Sequence, residues 1–410
     1  MILRHNKTPV VVVNCKLGGL GVMRSLGRLG VALYGVDPEP SAPAFYSRYC
    51  RRRYQEGIEF NNSDHLCRSL EIIRNEHQDP TILIPTSDDT TLVVATHKER
   101  LREAGYRFQF NSADLIKRLI SKEGMYKLAI DSGVPVPHTL FPLSITDVHR
   151  YIDEVGKFPV MLKAIDGTRL FKRTGLKMMI VHAPAELLRW YERLDEPGMP
   201  NLMLQEYIPG DDDQIYIFNG YFDAKSECLA GFTGHKIRQY PVHVGCASLG
   251  ICKWNQDVSD ITVAFMKAVG YQGILDIGYR YDPRDGQYKV LDINPRVGQA
   301  FRLFVAEDGL DVVRALYLDL TGQEVPKTSP REGRRWLIED MDIISSLHYR
   351  REGTLSIWGW IKSFRGVEEA AWFSWRDPVP FLRMLGSLLR KFMLWAGKSL
   401  VRKRSPSTTS

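Results

Sequence analysis

The stretch GILDIGYRYDPRDGQYKVLDINPR, residues 273–296, decides the fold, because it contains two strand-like segments around a turn. The central DPRDG has the composition of a tight turn between two strands. If the hairpin folds about residue 284, Asp276 lies opposite Asp292. Because side chains on a strand alternate between faces, Asp276, Asp292 and Asn294 are then expected to project from the same face.

Two carboxylates and an amide on one strand face require a positive charge between them. Carboxylates a few ångströms apart repel each other strongly when nothing compensates them. Carboxylate and amide oxygens are ligands that Mg²⁺ takes, especially when the ion also carries phosphate. We therefore predict that Asp276, Asp292 and Asn294 bind Mg²⁺ or Mn²⁺, with Arg296 placed to meet an anion beside the metal. The alternative is an ordinary hairpin with its polar face turned to solvent.

Composition indicates an ordinary soluble protein. The chain has 410 residues, enough for two or three domains, and is 44% hydrophobic and 25% charged. Its six cysteines form no CxxC pair, which argues against a zinc site and favours a reducing compartment. We see neither a signal peptide nor a stretch apolar enough to span a membrane, so a cytoplasmic location is expected.

The positive charge of the chain is concentrated at its C-terminal end. The net charge is +7, and residues 381–410 contain seven basic residues and no acid. The remainder then carries 48 basic and 48 acidic residues. The body is therefore neutral by formal count, and its charge gives no reason to predict a nucleic-acid partner.

Residues 381–404 predict a basic amphipathic helix, followed by a polar, disordered end. The apolar residues at helical spacing are Leu382, Leu385, Leu388, Leu389, Phe392, Trp395 and Ala396. The basic residues are Arg383, Arg390, Lys391, Lys398, Arg402, Lys403 and Arg404. Such a helix can lie in the interface of an anionic membrane, or it can pack its apolar face on the body and leave the basic end in solvent.

The order of strand-like and helix-like segments predicts four parts. Alternating strands and helices over residues 1–112 favour a parallel-sheet, Rossmann-like α/β domain. Residues 113–200 are expected to form a small α+β subdomain, and 201–330 a larger, mainly antiparallel one that carries the metal site. Residues 331–410 form a C-terminal extension that ends in the basic helix.

A glycine-rich segment near the N-terminus invites a dinucleotide-binding interpretation. Gly19 and Gly21 are followed by Arg24 where the pattern requires a third glycine, and Asp37 fits the ribose-binding position only loosely. We favour a tight strand-to-helix connection over a nucleotide site.

A nucleotide cradle is nevertheless predicted further along the chain. Lys163 ends the apolar strand FPVMLK, where its ammonium could reach a phosphate, although such a lysine could also lie at the surface. The following AIDGTRLFKRTG, residues 164–175, is interpreted as a mobile loop that carries Lys172 and Arg173 over phosphates. The segment LQEYIPG, residues 204–210, ends a strand in a linker whose backbone could contact an adenine edge.

In this order the motifs resemble those of the ATP-grasp superfamily over about residues 112–320. The matching motifs are SKEGMYKLAIDSGVPVP, FPVMLK, LQEYIPG, GILDIGY and LDINPR. The resemblance implies ATP and Mg²⁺ as cofactors. It assigns the phosphates to Lys122 and Lys163, backbone contacts with the adenine to Glu206 and Ile208, and the ribose to Asp213, with Gln205 and Tyr207 as further cofactor-binding residues. The metal is assigned to Asp276, Asp292 and Asn294, and an acyl phosphate to Arg296.

Two departures from the family pattern stand out. Asp292 replaces the usual Glu and is one methylene shorter, which weakens the case for bidentate metal bridging. The phosphate loop is poor in glycine, with only Gly167 and Gly175. The second departure predicts a stiffer lid or a slower enzyme.

Within the superfamily, GHKIRQYPVHVGCAS and DPRDGQYKVLDINPR resemble carboxylate–amine ligases related to D-aspartate ligase. The resemblance implies ATP-dependent joining of a carboxylate to an amine, such as an amino acid, through an acyl phosphate. Lys236 and Arg238 could face the transferred phosphoryl group or the carboxylate, or equally form a solvated strand face. Ser87 and Asp88 end a parallel strand and could contact the amine or only cap a helix.

Two other functions remain open at the level of sequence. One is an ATP-grasp enzyme with a different acceptor, of carboxylase or phosphorylating type. The other is a non-catalytic nucleotide-binding module that docks on a membrane or protein partner. For the ligase, the expected partners are a small-molecule carboxylate and a small-molecule amine, and self-association into a homodimer is left open.

Overall fold

The structure is a computed structural model that describes residues 3–77, 79–176 and 178–404, and its first sheet is parallel. Five strands pair in the order β3-β2-β1-β4-β5, which confirms the predicted parallel-sheet domain. The four valines of its central strand are fully buried, as expected for a sheet covered on both faces. The elements are β1 Val10–Val13, α1 Leu17–Gly27, β2 Leu33–Val36, β3 Cys50–Tyr54, α2 Ser63–Asn75, β4 Thr81–Pro85, α3 Asp88–Thr96, α4 Lys98–Glu103 and β5 Tyr106–Arg107.

The glycines near the N-terminus serve packing. Gly19 and Gly21 lie inside α1, and a Cβ on Gly21 would lie 2.6 Å from the ring of Phe301. The Asp37 carboxylate is buried and accepts the backbone N–H groups of Cys15 (2.7 Å) and Glu39 (2.8 Å). These contacts favour the tight-connection interpretation over a nucleotide site.

Helices α5 Ala113–Ile120 and α6 Lys122–Asp131 lead into a four-stranded antiparallel sheet of order β6-β9-β7-β8. Its elements are β6 Thr139–Leu140, α7 Ile145–Glu154, β7 Val160–Ala164, α8 Gly167–Thr174, β8 Met178–Val181, α9 Pro184–Leu194 and β9 Leu202–Glu206. The predicted boundary at residue 201 is wrong, because β9 pairs with β6 and β7 of this smaller sheet.

The predicted mobile phosphate loop is largely helical. Residues 167–174 form α8, and Arg173 donates to the carbonyl of Leu194 at the end of α9. Since Arg173 is bound there, the interpretation that it reaches over phosphates is wrong for this structure.

A seven-stranded sheet forms the rest of the body, in the order β14-β13-β10-β11-β12-β15-β16. All its pairs are antiparallel except β15 with β16. Because β15 and β16 belong to this sheet, and Trp336 of β15 is buried, the first part of the predicted extension 331–410 is built into the body. The elements are β10 Ile215–Phe222, β11 Cys228–Tyr240, β12 Cys246–Cys252, α10 Gln256–Val269, β13 Gly273–Asp282, β14 Gln287–Asn294, α11 Val312–Leu320, β15 Arg335–Leu337, α12 Glu339–Arg351, α13 Ile357–Ser363, β16 Val367–Ala370 and α14 Val379–Arg404.

The two faces of the large sheet pack on different partners. Ile217, Phe232 and Ile274 share one hydrophobic cluster with the valines of β1 and with Phe301. Side chains of the opposite face, such as Leu275, pack with residues of α5, α6 and α10. The first face is therefore the one directed at the N-terminal domain.

The C-terminal helix α14 begins on the N-terminal domain. Met384 is buried, and the Arg383 guanidinium lies 4.0 Å from the centre of the Tyr46 ring. Leu382 and Leu389, in contrast, are exposed. The predicted roles of Lys391, Phe392, Trp395, Ala396, Lys398 and Arg402 to Arg404 fall on side chains outside the described part. No helix among the described residues has the length and apolar character needed to cross a membrane, and no disulfide joins any of the six cysteines in the described part of the chain.

Candidate active site

The β13–β14 hairpin places the predicted metal ligands on one face, but in a different register from the expected one. Asp276 lies opposite Asn294, and Gly278 lies opposite Asp292. Nearer the turn, Tyr279 pairs with Val290, so that Leu291 is an extra residue on β14. The prediction that Asp276 lies opposite Asp292 is therefore wrong by two residues: the turn is centred between residues 284 and 285, which accounts for one residue, and the β-bulge adds the other.

The bulge decides which side chains face the cleft. In a regular ladder without the extra residue Leu291, Asp292 would point to the opposite face of the sheet, the one on which Ile293 is now buried against α5 and α6. With it, Asp292 and Asn294 share the face of Asp276. The register error of two residues did not change the predicted face, since strand side chains repeat every two residues.

Asp292 is held by a lysine from a neighbouring helix. Lys122 is the first residue of α6, and its Nζ lies 2.5 Å from Asp292 Oδ1. The other carboxylate oxygen of Asp292 accepts from Asn294 Nδ2 at 3.3 Å. The Asp292 side chain remains 52% exposed, so a ligand on this face of the hairpin can still reach it.

A chain of hydrogen bonds connects Lys163 to this pair. Lys163 Nζ donates to Gln205 Oε1 (2.9 Å), and Gln205 Nε2 donates to Tyr126 Oη (2.7 Å). The Tyr126 hydroxyl and Lys122 Nζ both donate to the carbonyl of the bulge residue Leu291, each at 3.4 Å. Residues from the smaller sheet, α6 and the large sheet are thus joined at one place. Sequence reasoning missed Tyr126, although its position four residues after Lys122 puts both on one helix face.

Arg296 connects the hairpin to the N-terminal domain. Its Nη2 donates to Asn294 Oδ1 (2.9 Å), and its Nε donates to Asp88 Oδ1 (2.8 Å). Ser87 caps α3 in a capping box with Thr90, which supports the capping interpretation for this residue. Asp88 instead points its carboxylate to the guanidinium and lies beside the candidate site.

Burial and neighbouring charges shift the pKa values of this group. Burial, and then the charge of Lys122, lowers the pKa of Lys163 to about 7. Burial raises the pKa of Asp276 to about 6. Removal from water raises the pKa of Asp292, but the charge of Lys122 and the hydrogen bonds to the carboxylate lower it more. The pKa of Asp292 is therefore below its usual value. Several basic groups therefore compensate two carboxylates in a confined space, as functional sites often do.

The donor set is suited to a cation that also binds phosphate. Two carboxylates and one amide oxygen are fewer donors than the octahedral shell of Mg²⁺ requires, and phosphate and water oxygens usually supply the rest. The amide oxygen of Asn294 accepts from Arg296 in this structure. Within the described ranges, no three His, Cys, Asp or Glu side chains form a metal-binding group, in keeping with a site that has only two carboxylates.

Lys236 and Arg238 have different surroundings despite their predicted common role. Lys236 Nζ donates to the carbonyl of Gly245 (2.8 Å). Burial lowers the pKa of Lys236, and the nearby carboxylates of Asp292 and Asp276 reduce that lowering. The Arg238 guanidinium instead forms two hydrogen bonds to Asp342 of α12, at 2.8 and 2.9 Å, and both side chains are buried. Arg238 is therefore not brought to the candidate site, because the ladder is irregular on both sides of it and its partner lies on another helix.

The residues predicted to hold the nucleoside lie along the end of β9 and the following linker. The Glu206 carboxylate is paired with Arg284 (2.8 Å) and Lys289 (3.1 Å). The N–H of Glu206 donates to the His138 carbonyl, and the Ile208 carbonyl accepts from Arg280. Backbone contacts to an adenine would therefore use groups other than the Glu206 N–H, which already donates within the protein.

The remaining two predicted nucleoside residues are less closely tied to the cleft. Tyr207 is half-buried between Glu206 and Ile208. Asp213 is exposed and accepts from Gln214 Nε2 at 3.2 Å. Both assignments stay predictions.

Two further residues around Asp276 were not identified from sequence. Asn219 pairs with Asp276 across β10 and β13 and is fully buried, and its Oδ1 has no hydrogen-bond partner among the described residues. An asparagine within the apolar IYIFNGYF is the signal that could have drawn attention to it. A Cβ on Gly298 would lie 2.7 Å from Asp276 Oδ2, so only glycine fits against that carboxylate.

Sequence comparison finds distant relatives, and no protein-family model matches the chain. D-aspartate ligase of Enterococcus faecium is 26% identical over 256 residues, which cover 60% of this chain and 60% of that protein. The chain thus spans less than two thirds of the length of this relative.

Solved structures with a similar fold cover most of the chain. N5-carboxyaminoimidazole synthetase of Staphylococcus aureus, complexed with ADP, has a TM-score of 0.61 at 12% identity and covers 82% of this chain and 83% of its own. The biotin carboxylase domain of Hydrogenobacter thermophilus 2-oxoglutarate carboxylase, with MgADP and bicarbonate, has 0.59 at 17% identity (81% and 74%). L-amino acid ligase of Bacillus licheniformis has 0.57 at 12% identity (80% and 76%). At these identities the likeness shows the fold.

Proposed function

This chain has the ATP-grasp fold that its motifs predicted, and we propose that it is an ATP- and Mg²⁺-dependent ligase that joins a carboxylate to an amine. The proposal rests on one observation above all: the hydrogen-bonded chain from Lys163 through Gln205 and Tyr126 to the Leu291 carbonyl, Lys122 and Asp292. It brings two lysine ammonium groups and a carboxylate together, the charges that a metal–phosphate group would need. The likeness to D-aspartate ligase and to an L-amino acid ligase supports an amino acid as one substrate.

The proposed reaction has two steps. A carboxylate oxygen of the substrate bonds to the γ-phosphorus of ATP while the bond between that phosphorus and the β,γ-bridging oxygen breaks, which releases ADP and leaves an acyl phosphate. The amine nitrogen then attacks the acyl carbon and loses a proton, and the C–O bond to phosphate breaks. Catalysis of this kind depends mainly on positioning and on neutralising charge.

The chain's own residues have distinct roles in this proposal. Lys122 and Lys163 place ammonium groups against the phosphates, and Arg296 offers a guanidinium to the anionic acyl phosphate. Asp276, Asp292 and Asn294 would hold Mg²⁺, which when bound neutralises charge on the transferred phosphoryl group. Lys236, near the carboxylates of Asp276 and Asp292, would meet the substrate carboxylate or the phosphate.

A carboxylating enzyme is the second candidate, because two of the similar structures bear the names of a carboxyaminoimidazole synthetase and a biotin carboxylase domain. In that case bicarbonate would replace the organic carboxylate. The two candidates differ in a simple requirement, since only the second needs bicarbonate for ADP release.

The test is ADP release by the full chain with pools of amino acids and small carboxylic acids, with and without bicarbonate. We expect turnover that requires both a carboxylate and an amine. Lys163→Ala should lower kcat/KM for ATP on the order of a hundredfold, because an ammonium on the phosphates stabilises both bound ATP and the transition state. Lys157→Ala, an exposed lysine near the start of the same strand, should behave like the wild type. Unchanged ATP affinity and rate in Lys163→Ala would remove this residue from the site.

A further inference from the structure

The C-terminal part of the chain exposes an unusual number of large apolar side chains. In the part of the chain that the structure describes, twelve exposed large hydrophobic side chains fall within residues 343–393, and nine fall in all the rest. The twelve are Ile343, Ile344, Leu347, Ile357, Trp358, Ile361, Trp375, Val379, Leu382, Leu385, Leu389 and Met393. A concentration of this kind on a soluble chain indicates a surface that contacts something else.

On α14 the exposed apolar residues form one stripe. Leu382, Leu385, Leu389 and Met393 follow each other at spacings of three and four residues, so they lie along one side of the helix. This side is not the one that packs on the body, which is marked by the buried Met384. The apolar residues of this stripe therefore do not pack on the body of the protein.

An exposed tryptophan extends this stripe. Trp375 is 88% exposed, and its ring contacts Phe373 at 4.8 Å between ring centres. Phe373 in turn contacts Phe381, in the first turn of α14, at 5.2 Å. Trp375 is thus attached to the beginning of the helix through a chain of aromatic contacts, and we call Trp375 with the four α14 residues the apolar stripe.

Acidic and basic side chains in this part of the chain differ in whether they have partners. Each of the seven acids between residues 339 and 377 accepts a hydrogen bond or forms an ion pair within the protein. They are Glu339, Asp340, Asp342, Glu352, Glu368, Glu369 and Asp377. Seven exposed basic side chains have no carboxylate within ion-pair distance in the described part of the chain: Arg350, Arg351, Lys362, Arg365, Arg376, Arg383 and Arg390. In this part of the chain, the exposed groups without a partner inside the protein are therefore mainly apolar or positively charged.

We propose that the apolar stripe, together with Arg376, Arg383 and Arg390 of the same segment, docks this protein on an anionic membrane surface. Exposed tryptophan, leucine and methionine next to arginine are suited to the boundary between headgroups and acyl chains. A second copy of the chain fits less well, because a two-fold interface would bring the same unpaired arginines of both copies together. The anionic surface supplies the negative charge that this region of the protein lacks.

The experiment is co-sedimentation of the full chain with vesicles of phosphatidylcholine alone or mixed with phosphatidylglycerol. We expect binding to the mixed vesicles that weakens with added salt, and little binding to pure phosphatidylcholine. Arg376→Gln/Arg390→Gln should weaken binding to the mixed vesicles by roughly twentyfold, because each basic residue near an anionic surface contributes a factor of about five. Trp375→Ser/Leu382→Ser/Leu389→Ser should weaken it at least as much.

A matched control removes apolar surface elsewhere. Ile72, Leu143 and Met199 are exposed to a similar degree, so Ile72→Ser/Leu143→Ser/Met199→Ser should bind vesicles like the wild type. Equal binding to both kinds of vesicle, equal loss in the control, or no sedimentation of the wild type at low salt would each overturn the proposal. The proposal would also be overturned if the wild type were a homodimer in sedimentation velocity, the Trp375→Ser/Leu382→Ser/Leu389→Ser variant were a monomer, and neither protein bound vesicles.

Discussion

Two pairs of residues have the same spacing of two but different surroundings: Asp292 and Asn294 on β14, and Lys236 and Arg238 on β11. The bulge at Leu291 precedes the first pair, and both its members lie in a regular ladder beside Asp276. In the second pair the ladder is irregular on both sides of Arg238, and only Lys236 stays near the carboxylates. Spacing by two residues thus predicts a shared environment only where the strand pairing is regular.

The partners of the two pairs explain what each can do. Asp292 is paired with Lys122 but stays half exposed, so its charge remains available to a ligand. Arg238 and Asp342 are both almost fully buried, and Trp360 Nε1 and Ser248 Oγ also donate to Asp342. A buried ion pair that is satisfied in this way supports the fold and offers no free donor to a substrate.

The strongest way to sharpen the comparison is Asp292→Ala. We expect ATP turnover to fall about a thousandfold or more, because the loss of a metal ligand removes stabilisation of the transferring charge. The free energy of unfolding should change by about 1 kcal/mol or less, as for a partly exposed ion pair. ADP release and urea unfolding measure the two quantities, and normal turnover would show that the site is misassigned.

Arg238→Met should have the opposite profile. Removing the guanidinium leaves the Asp342 carboxylate buried without its charged partner, which costs about 3–5 kcal/mol of unfolding free energy. The double variant Arg238→Met/Asp342→Leu should recover much of that loss in the same urea titration. A wild-type unfolding midpoint together with a large loss of turnover in Arg238→Met would instead return Arg238 to the active site.

The pH dependence of nucleotide binding tests the group around Asp292 through Lys163. Burial lowers the pKa of Lys163 to about 7 in the free protein, so the ammonium is lost as pH rises through that value. Affinity for ADP should therefore fall with rising pH, by about tenfold from one unit below to one unit above the pKa. Lys163→Arg keeps its charge over this range and should lack this step in calorimetry. Identical pH profiles for the two proteins would contradict the assignment.

The smallest effect is expected for Tyr126→Phe. The hydroxyl connects Gln205 to the Leu291 carbonyl, and its loss should raise the KM for ATP about fivefold, equivalent to one hydrogen bond of about 1 kcal/mol. Tyr281→Phe, in the same hairpin, is the control, since its hydroxyl has no hydrogen-bond partner among the described residues. Equal KM values in the two variants would show that the connection through Tyr126 does not support the site.

Much of the site was predictable because its signals are local. The turn DPRDG and the alternation around it predicted the hairpin, and the predicted face was correct even though the register was wrong by two residues. The bulge at Leu291 was not predictable, since nothing in that residue marks it as unpaired. The place of β9 in the smaller sheet was missed for a related reason, because strand pairing over long sequence distances leaves little trace in either strand.

The sequence by itself determined most of the kinds of element, the order of the sheets and the residue types that chemistry at this site requires. Those properties follow from periodicity, turn composition and side-chain chemistry, which act over a few residues. Only the tertiary structure decided that Tyr126 joins Lys163 to Lys122, that Asp88 meets Arg296, and that Arg238 belongs to Asp342. These contacts connect residues far apart in the chain, and each depends on how whole sheets and helices pack, which no short stretch of sequence specifies.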